Sequence, residues 1–247
     1  MYIEKTLEYY SKWLGKDRIL YQNFTGITYI YSEERDKIPD GYGQPFDIYI
    51  FADKNRWIIS YGNKAKEKIE KLKNYTDKIQ FIENLKTVIK TVYNGEIHHN
   101  IKYIFQEPVK KAGRAIVLNH MDYHKYEEFF RKCNPDCKNT DWLKEYFEEM
   151  VQEHICTGIF NKDILVSCTD APAMPYMSDK VQEIGIHTLP ECRGKGYAAE
   201  ACIKCIEKIL ENGKIPQWST DINNIASQKL ARKVGFAKLA DVITVTL

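Results

Sequence analysis

The run Glu191-Cys192-Arg193-Gly194-Lys195-Gly196-Tyr197-Ala198 holds the densest chemistry in this 247-residue chain. It follows a stretch with strand character and opens a helical pattern. Gly194 and Gly196 permit a tight turn and let a ligand approach the backbone. The first N–H groups of a helix lack an intrahelical acceptor, and the helix dipole favours negative charge there. The segment is therefore a candidate seat for a phosphate or pyrophosphate, with Arg193 and Lys195 adding positive charge nearby. A purely structural strand-to-helix turn would have the same composition. Neither the phosphate loop of nucleotide hydrolases nor the three-glycine dinucleotide fingerprint is filled by these residues.

A second block lies downstream: Asn224-Ile225-Ala226-Ser227, then Leu230 and Lys233-Val234-Gly235-Phe236, preceded by Trp218 on a strand-like run. Together the two blocks resemble the GNAT superfamily of acyl-CoA N-acyltransferases. Arg193, Gly196 and Ala198 fill that superfamily's pyrophosphate-loop signature. Glu183-Ile184-Gly185-Ile186 and Tyr197-Ala198-Ala199-Glu200-Ala201 look like the branch that acetylates ribosomal-protein N-termini and related amines. The second block is similar to the superfamily's penultimate helix and its Gly-Phe stop. The resemblance covers roughly residues 100–247. It extends to acetyltransferases with an added N-terminal domain, antibiotic self-resistance proteins among them.

The resemblance implies acetyl-CoA as acyl donor and a small-molecule or peptide primary amine as acceptor, with homodimers common. It implies pantetheine between two splayed strands, 182–188 and 215–221, bonded to the backbone of Ile186 and Thr188 as a peptide strand would be. Pyrophosphate would sit on the N–H groups of Gly194, Lys195, Gly196, Tyr197 and Ala198, beside Arg193. Asn224 would cap its helix and touch the cofactor. His187 would reach the ligand through its backbone, its side chain being a neutral structural residue. Many members protonate the leaving thiolate with a Tyr that here is Ala231. Ser227 is then the candidate partner of the thiol, or else a packing or capping Ser. The missing Tyr keeps open an alternative: an inactive acyl-CoA-binding sensor or paralogue.

Transfer to an amine needs a base, and Glu183 is the first candidate. Period-two alternation places Glu183, Gly185 and His187 on one strand face, with Ile184 and Ile186 on the other. Glu183 and His187 stand about 13 Å apart along an extended strand, too far to share one proton. Glu183 is either that base or a salt-bridging residue that orients the loop.

These residues must be held by a larger frame. The periodicity predicts a helix over 3–14 and strands over 24–31, 47–51 and 57–61, the last two joined by a turn at Asp53-Lys54-Asn55. Helices are expected over 64–72 and 79–93, a strand over 101–105, and a basic connector over 108–113. Then follow a strand over 114–118, helices over 123–132, capped by Asp122, and 140–154, and strands over 156–160, 164–169 and 182–188. A helix over 197–212, a strand over 215–221, a helix over 225–234 and a strand over 242–247 close the chain. This is an α/β (α+β) chain with a mixed, mostly antiparallel sheet, splayed central strands and helices on both faces. Residues 1–100 are expected to form a smaller N-terminal α/β domain and residues 101–247 the cofactor-binding catalytic domain. The aromatic residues Tyr29, Tyr31, Tyr49, Phe51 and Trp57 are expected in the core of the first.

Composition excludes several classes. The 36 basic and 34 acidic side chains leave a formal charge of +2, without the basic bias of a nucleic-acid binder. No apolar run reaches membrane-spanning length, and the first residues lack the apolar centre of a signal peptide, so a cytoplasmic location is expected. The seven cysteines are an odd number in such a chain and point away from a disulfide framework. No metal is expected, because no Cys or His set has ligand spacing that carries one.

Overall fold

The computed structural model describes residues 2–54, 56–76, 82–109, 113–172, 174, 175 and 177–247. Asn55 of the expected turn, 79–81 of an expected helix and 110–112 of the expected connector lie outside the described residues. The order is α1 (Tyr2–Trp13), β1 (Gly26–Tyr31), β2 (Ile48–Asp53), β3 (Arg56–Tyr61), α2 (Asn63–Lys66), α3 (Ile69–Thr76), α4 (Ile82–Val92) and β4 (Glu96–Phe105). There follow β5 (Ile116–Val117), α5 (Tyr123–Cys133), α6 (Leu143–Gln152), β6 (Thr157–Asn161), β7 (Ile164–Asp170), β8 (Val181–Glu183) and β9 (Gly185–Thr188). The chain ends with α7 (Tyr197–Glu211), β10 (Ile215–Asp221), α8 (Ile225–Lys233) and β11 (Phe236–Thr246).

Seven strands form one sheet in the order β1-β3-β2-β11-β4-β10-β8, and four form a second in the order β5-β6-β7-β9. The pairs β1–β3 and β8–β10 are parallel and the rest antiparallel, so the sheets are mixed and mostly antiparallel. β11 is the longest strand and joins the two ends of the chain. One edge pairs with β4 from Phe236 to Thr246, the other with β2 from Asp241 to Val245. β4 runs through position 100, where the character of the sequence changes.

Alternation along β2 distributes the helices. Tyr49 and Phe51 pack with Tyr9, Tyr10 and Trp13 of α1 on one face, whereas Ile48 and Ile50 pack with Leu72, Leu85 and Ile89 of α3 and α4 on the other. Helix α1 extends over the same face as far as β10, where the Gln217 side-chain amide donates to the Thr6 hydroxyl at 3.1 Å. The smaller sheet is likewise covered on both sides. The Thr157 hydroxyl donates to the Ala201 carbonyl of α7 at 2.8 Å, while Tyr126 and Phe129 of α5 face Cys168 and Asp170. Tyr49, Phe51 and Trp57 are core or core-flanking, as expected, whereas Tyr31 is exposed.

Several boundaries differ from the sequence expectation. The strand expected over 114–118 pairs only at Ile116 and Val117. Asp122 makes no cap of its own for α5. Its carboxylate instead accepts the Asn119 N–H at 3.0 Å, closing a capping box on the preceding 3-10 turn. All seven cysteines are free thiols. Among the described residues no helix is long and apolar enough to cross a membrane.

Candidate functional site

The strand expected over 182–188 is two strands in the structure, and the interruption makes the site. β8 pairs with β10 up to Glu183, opposite Gln217. The Ile184 N–H donates to the Gln217 carbonyl at 3.1 Å, and Ile184 is buried in the core. From Gly185 onward the chain pairs only with β7, so the edges of β9 and of β10 beyond Gln217 diverge. Two unpaired strand edges facing one gap are a template for a ligand with amide groups.

The gap leads to the N-terminus of α7. The sequence Ala198-Ala199-Glu200-Ala201 favours helix, and Ala201, Cys202, Cys205, Ile206 and Ile209 bury one stripe. The helix starts abruptly after Gly196, which has φ 84° and offers no side-chain cap. Gly194 is also left-handed, at φ 77°. A β-carbon on either glycine would meet open space, so their backbones line a cradle rather than pack against protein. Arg193 Nε donates to the Thr188 carbonyl at 3.3 Å and fastens the loop to β9. From the far side the Arg114 guanidinium lies 4.8 Å over the Tyr197 ring and bonds Glu200 of the first helical turn at 2.7 Å.

Helix α8 forms the third wall. Asn224 caps it by accepting the Ser227 N–H at 3.0 Å. Asn224, Ser227, Leu230 and Lys233 recur every third residue, so successive members are neighbours on the helix, and all four border the same cleft. The Trp218 indole N–H donates to the Ser227 hydroxyl oxygen at 3.1 Å. Ala231, where a Tyr would stand in many relatives, is fully buried. The cleft holds about 430 Å³ and is lined by Ile186, His187, Thr188, Arg193, Gly194, Gly196, Tyr197, Ala198, Asn224 and Ser227. These were candidates from sequence; Cys192, Ala199, Ala226, Leu230 and Lys233, which also line the cleft, were not. Lys195 is exposed at the loop tip and is not part of the lining.

Residues 47–241 match the family described as GNAT acetyltransferase. The chain belongs to this family. A stretch of 108 residues is 41% identical to the uncharacterized N-acetyltransferase YdfB of Bacillus subtilis (strain 168), covering 42% of this chain and 40% of that protein. The fold is similar to a GNAT-family acetyltransferase from Colwellia psychrerythraea, at TM-score 0.52 and 14% identity, covering 66% of this chain and 60% of that one. It is similar also to a GCN5-related N-acetyltransferase from Sphaerobacter thermophilus, with TM-score 0.52 and 14% identity, covering 66% and 56% respectively. At such identity the two structures are alike in fold alone. The matches span less than two thirds of the length of each of these three relatives.

In this GNAT chain Glu183 lies apart from the other candidates. It borders a second cavity of about 320 Å³ on the α1 face of the large sheet. Its carboxylate is 3.9 Å from the Lys102 ammonium. Burial, with the Glu183 charge adding to it, pushes the Tyr42 phenol in that cavity up to about 12. The His187 imidazole, half exposed, reaches instead toward Asp170 on β7, at 3.7 Å.

Asp170 was not apparent from sequence. It pairs across the sheet with Gly185, and its Oδ1 occupies the space a Gly185 β-carbon would need. Among the described residues that oxygen is buried without a hydrogen-bond partner. Burial pushes the carboxyl up, the His187 charge opposes this, and the Glu183 charge reinforces it. Leu230 and Lys233 belong to the second sequence block and carry no site assignment from sequence. Leu230, three residues after Ser227, and Lys233, three after Leu230, follow a neighbour-to-neighbour spacing that was the available signal.

Proposed function

We propose that the protein is an N-acetyltransferase that moves an acetyl group from acetyl-CoA to a primary amine by direct attack within a ternary complex. The observation that carries this reading is the divergence of β9 from β10 beside the bare N-terminus of α7. That arrangement offers strand-edge amides for pantetheine and unpaired helix N–H groups for pyrophosphate, joined in one cleft. The amide edge belongs to Ile186 and Thr188, whereas the register in which the Leu189 N–H donates to the Val166 carbonyl turns the His187 backbone toward Cys168 of β7, so the backbone contact expected of His187 is not available. Gly194 to Ala198 supply the anion seat, with Arg193 and Lys233 nearby.

In the reaction the amine nitrogen bonds to the thioester carbonyl carbon, the carbon–sulfur bond breaks, and the second proton that the nitrogen sheds as the amide forms ends on the thiolate. Glu183 accepts the proton that the attacking ammonium must lose. Lys102 holds that carboxylate in place. Ser227 stabilises the departing sulfur through its hydroxyl hydrogen, which the Trp218 bond leaves free, because its oxygen is the acceptor there. Asn224 fixes the helix turn that presents Ser227.

The test is calorimetric titration with acetyl-CoA of wild type and of Gly196→Glu. The substitution puts a carboxylate and a strained left-handed residue where pyrophosphate would lie. Wild-type binding near −8 kcal/mol, a micromolar Kd, abolished in a variant with an intact circular dichroism spectrum, supports the reading. A folded wild type that does not bind acetyl-CoA overturns it. Binding without turnover on any amine would favour an acyl-CoA sensor.

A further inference from the structure

We infer that the cavity bordered by Glu183 is the acceptor site, and that its acceptor is a small primary monoamine with a ring or apolar body and hydroxyl or carbonyl edges. This rests on the acetyl-transfer reading above. It gives the N-terminal residues a role in recognition.

Position is the first argument. Glu183 ends β8 and Gly185 begins β9, whose edge lines the cofactor cleft. The cavity therefore reaches the point where the strands part, from the face opposite to α7 and α8. An acceptor bound there with its amine at Glu183 approaches the cofactor cleft across the gap between the strands.

Size and enclosure give the second. A volume of about 320 Å³ falls at the small end of the range for small-molecule sites, roughly 300–1,000 Å³. The floor strands β4 and β11 are each paired on both sides, and the open edges nearby, those of β9 and of β10 beyond Gln217, are the ones assigned to pantetheine, so an extended peptide has no separate edge to join. Helix α1 and the loop over 42–46 close the cavity from above.

The chemistry of the walls gives the third. Five aromatic side chains, Tyr9, Tyr10, Trp13, Tyr42 and Phe46, form the roof, and Tyr49 of β2 rises from the sheet to meet them. Tyr42 and Phe46 are in edge contact, with centroids 4.9 Å apart. The buried Arg35 guanidinium already lies 4.0 Å over Trp13 and 5.3 Å from Tyr49. Those two rings have thus spent one face on a cation, and the roof suits a neutral body better than a further ammonium group. The floor presents Asn100, Ser219, Thr244 and Thr246, all neutral hydrogen-bonding groups. Among the described residues Glu183 is the one carboxylate of the lining, and Lys102 and His98 share the floor with it. One ammonium can be matched at Glu183, whereas a second along a polyamine would face those cationic or neutral groups without a partner.

Three acceptors discriminate: tyramine, spermidine, and a decapeptide with a free N-terminal amine, each assayed by coenzyme A release from the full chain. The inference expects kcat/KM for tyramine to exceed the other two by about tenfold or more. Phe46→Ala and Asn100→Leu should each raise the tyramine KM by about fivefold or more while leaving the acetyl-CoA Kd unchanged, which also shows that the variants fold. A preference for the peptide or spermidine, or a tyramine KM indifferent to both substitutions, overturns the acceptor assignment alone. Failure of the wild type to bind acetyl-CoA overturns the acetyl-transfer reading and this assignment with it. Acetyl-CoA binding without turnover on all three amines does the same.

Discussion

The Trp218 indole N–H donates to the Ser227 hydroxyl oxygen at 3.1 Å, linking β10 to α8 beside the cleft between β9 and α8. A hydroxyl that accepts in this way keeps its own hydrogen for another partner. Trp218 is buried against Phe236, with ring centroids 5.6 Å apart, so its orientation is set by packing. Trp218 is thus a positioning residue for Ser227. Ser227→Ala should lower kcat by roughly ten- to a hundredfold, the lower part of what a positioned proton donor contributes. The acetyl-CoA Kd should stay constant. Trp218→Phe should lower kcat less, and in the Ser227→Ala background it should add nothing, since the two act as one unit. Steady-state kinetics on the four proteins decide this. Additive losses would mean that Trp218 contributes only packing.

Gly185 has a steric reason to be glycine. Asp170 Oδ1 sits where its β-carbon would go. Gly185→Ala must push the Asp170 side chain or the strand away, an overpacking expected to cost about 1–3 kcal/mol. Thermal melting should drop by roughly 3–10 °C for a chain of this size. Adding Asp170→Ala removes the obstructing oxygen and should restore most of the melting temperature. If the double variant melts no higher than Gly185→Ala alone, the clash lies elsewhere.

The parts of the site legible in sequence were those built from neighbours along the chain. Arg193, Gly194 and Gly196 could be read because a glycine turn into a helix is a local event. Asn224 could be read because a cap is set within a few residues, and Ser227 because the short block that contains it resembles the family's penultimate helix. The break at Ile184 could not, since Gln182 to Thr188 is one uninterrupted strand pattern. Only the competing partners β10 and β7, distant in sequence, divide it. The reach of β11 was missed for a related reason. Residues 237–241, Ala-Lys-Leu-Ala-Asp, have weak alternation, and their strand state comes from pairing with β4. Asp170 looked like an ordinary strand end until the fold laid it across Gly185.

Asp170 also sets a pH dependence of stability. Burial raises its folded-state pKa above the ordinary carboxylate value near 3.9. Between those two values the folded protein holds a proton that the unfolded chain has lost. Stability therefore falls as pH rises through that window, and the deficit persists above it. Asp170→Asn removes the ionisation. Its melting temperature should match wild type at the acid end of the window and exceed it at pH 7. Melts from pH 4 to pH 8 check this. A variant less stable than wild type at pH 7 would show that the ionised carboxylate is a net stabilising group, for instance through His187.

Lys233 and Lys195 separate two ways of attracting a polyphosphate. Lys233 lines the cleft from α8, whereas Lys195 stands exposed at the loop tip, outside the lining. Both are solvated, so each contributes on the scale of a surface charge, up to about 1 kcal/mol. A cation facing the bound phosphates directly should contribute more than one turned to solvent. Lys233→Ala should raise the acetyl-CoA Kd by about three- to fivefold at low salt, and the difference from wild type should shrink at 0.5 M salt, where screening lengths fall below roughly 5 Å. Lys195→Ala should change the Kd by less than about twofold under either condition. Calorimetry at both ionic strengths distinguishes the two. A larger loss for Lys195→Ala would mean that the loop tip folds over the phosphates when acetyl-CoA binds, so that the anion seat is completed by the ligand.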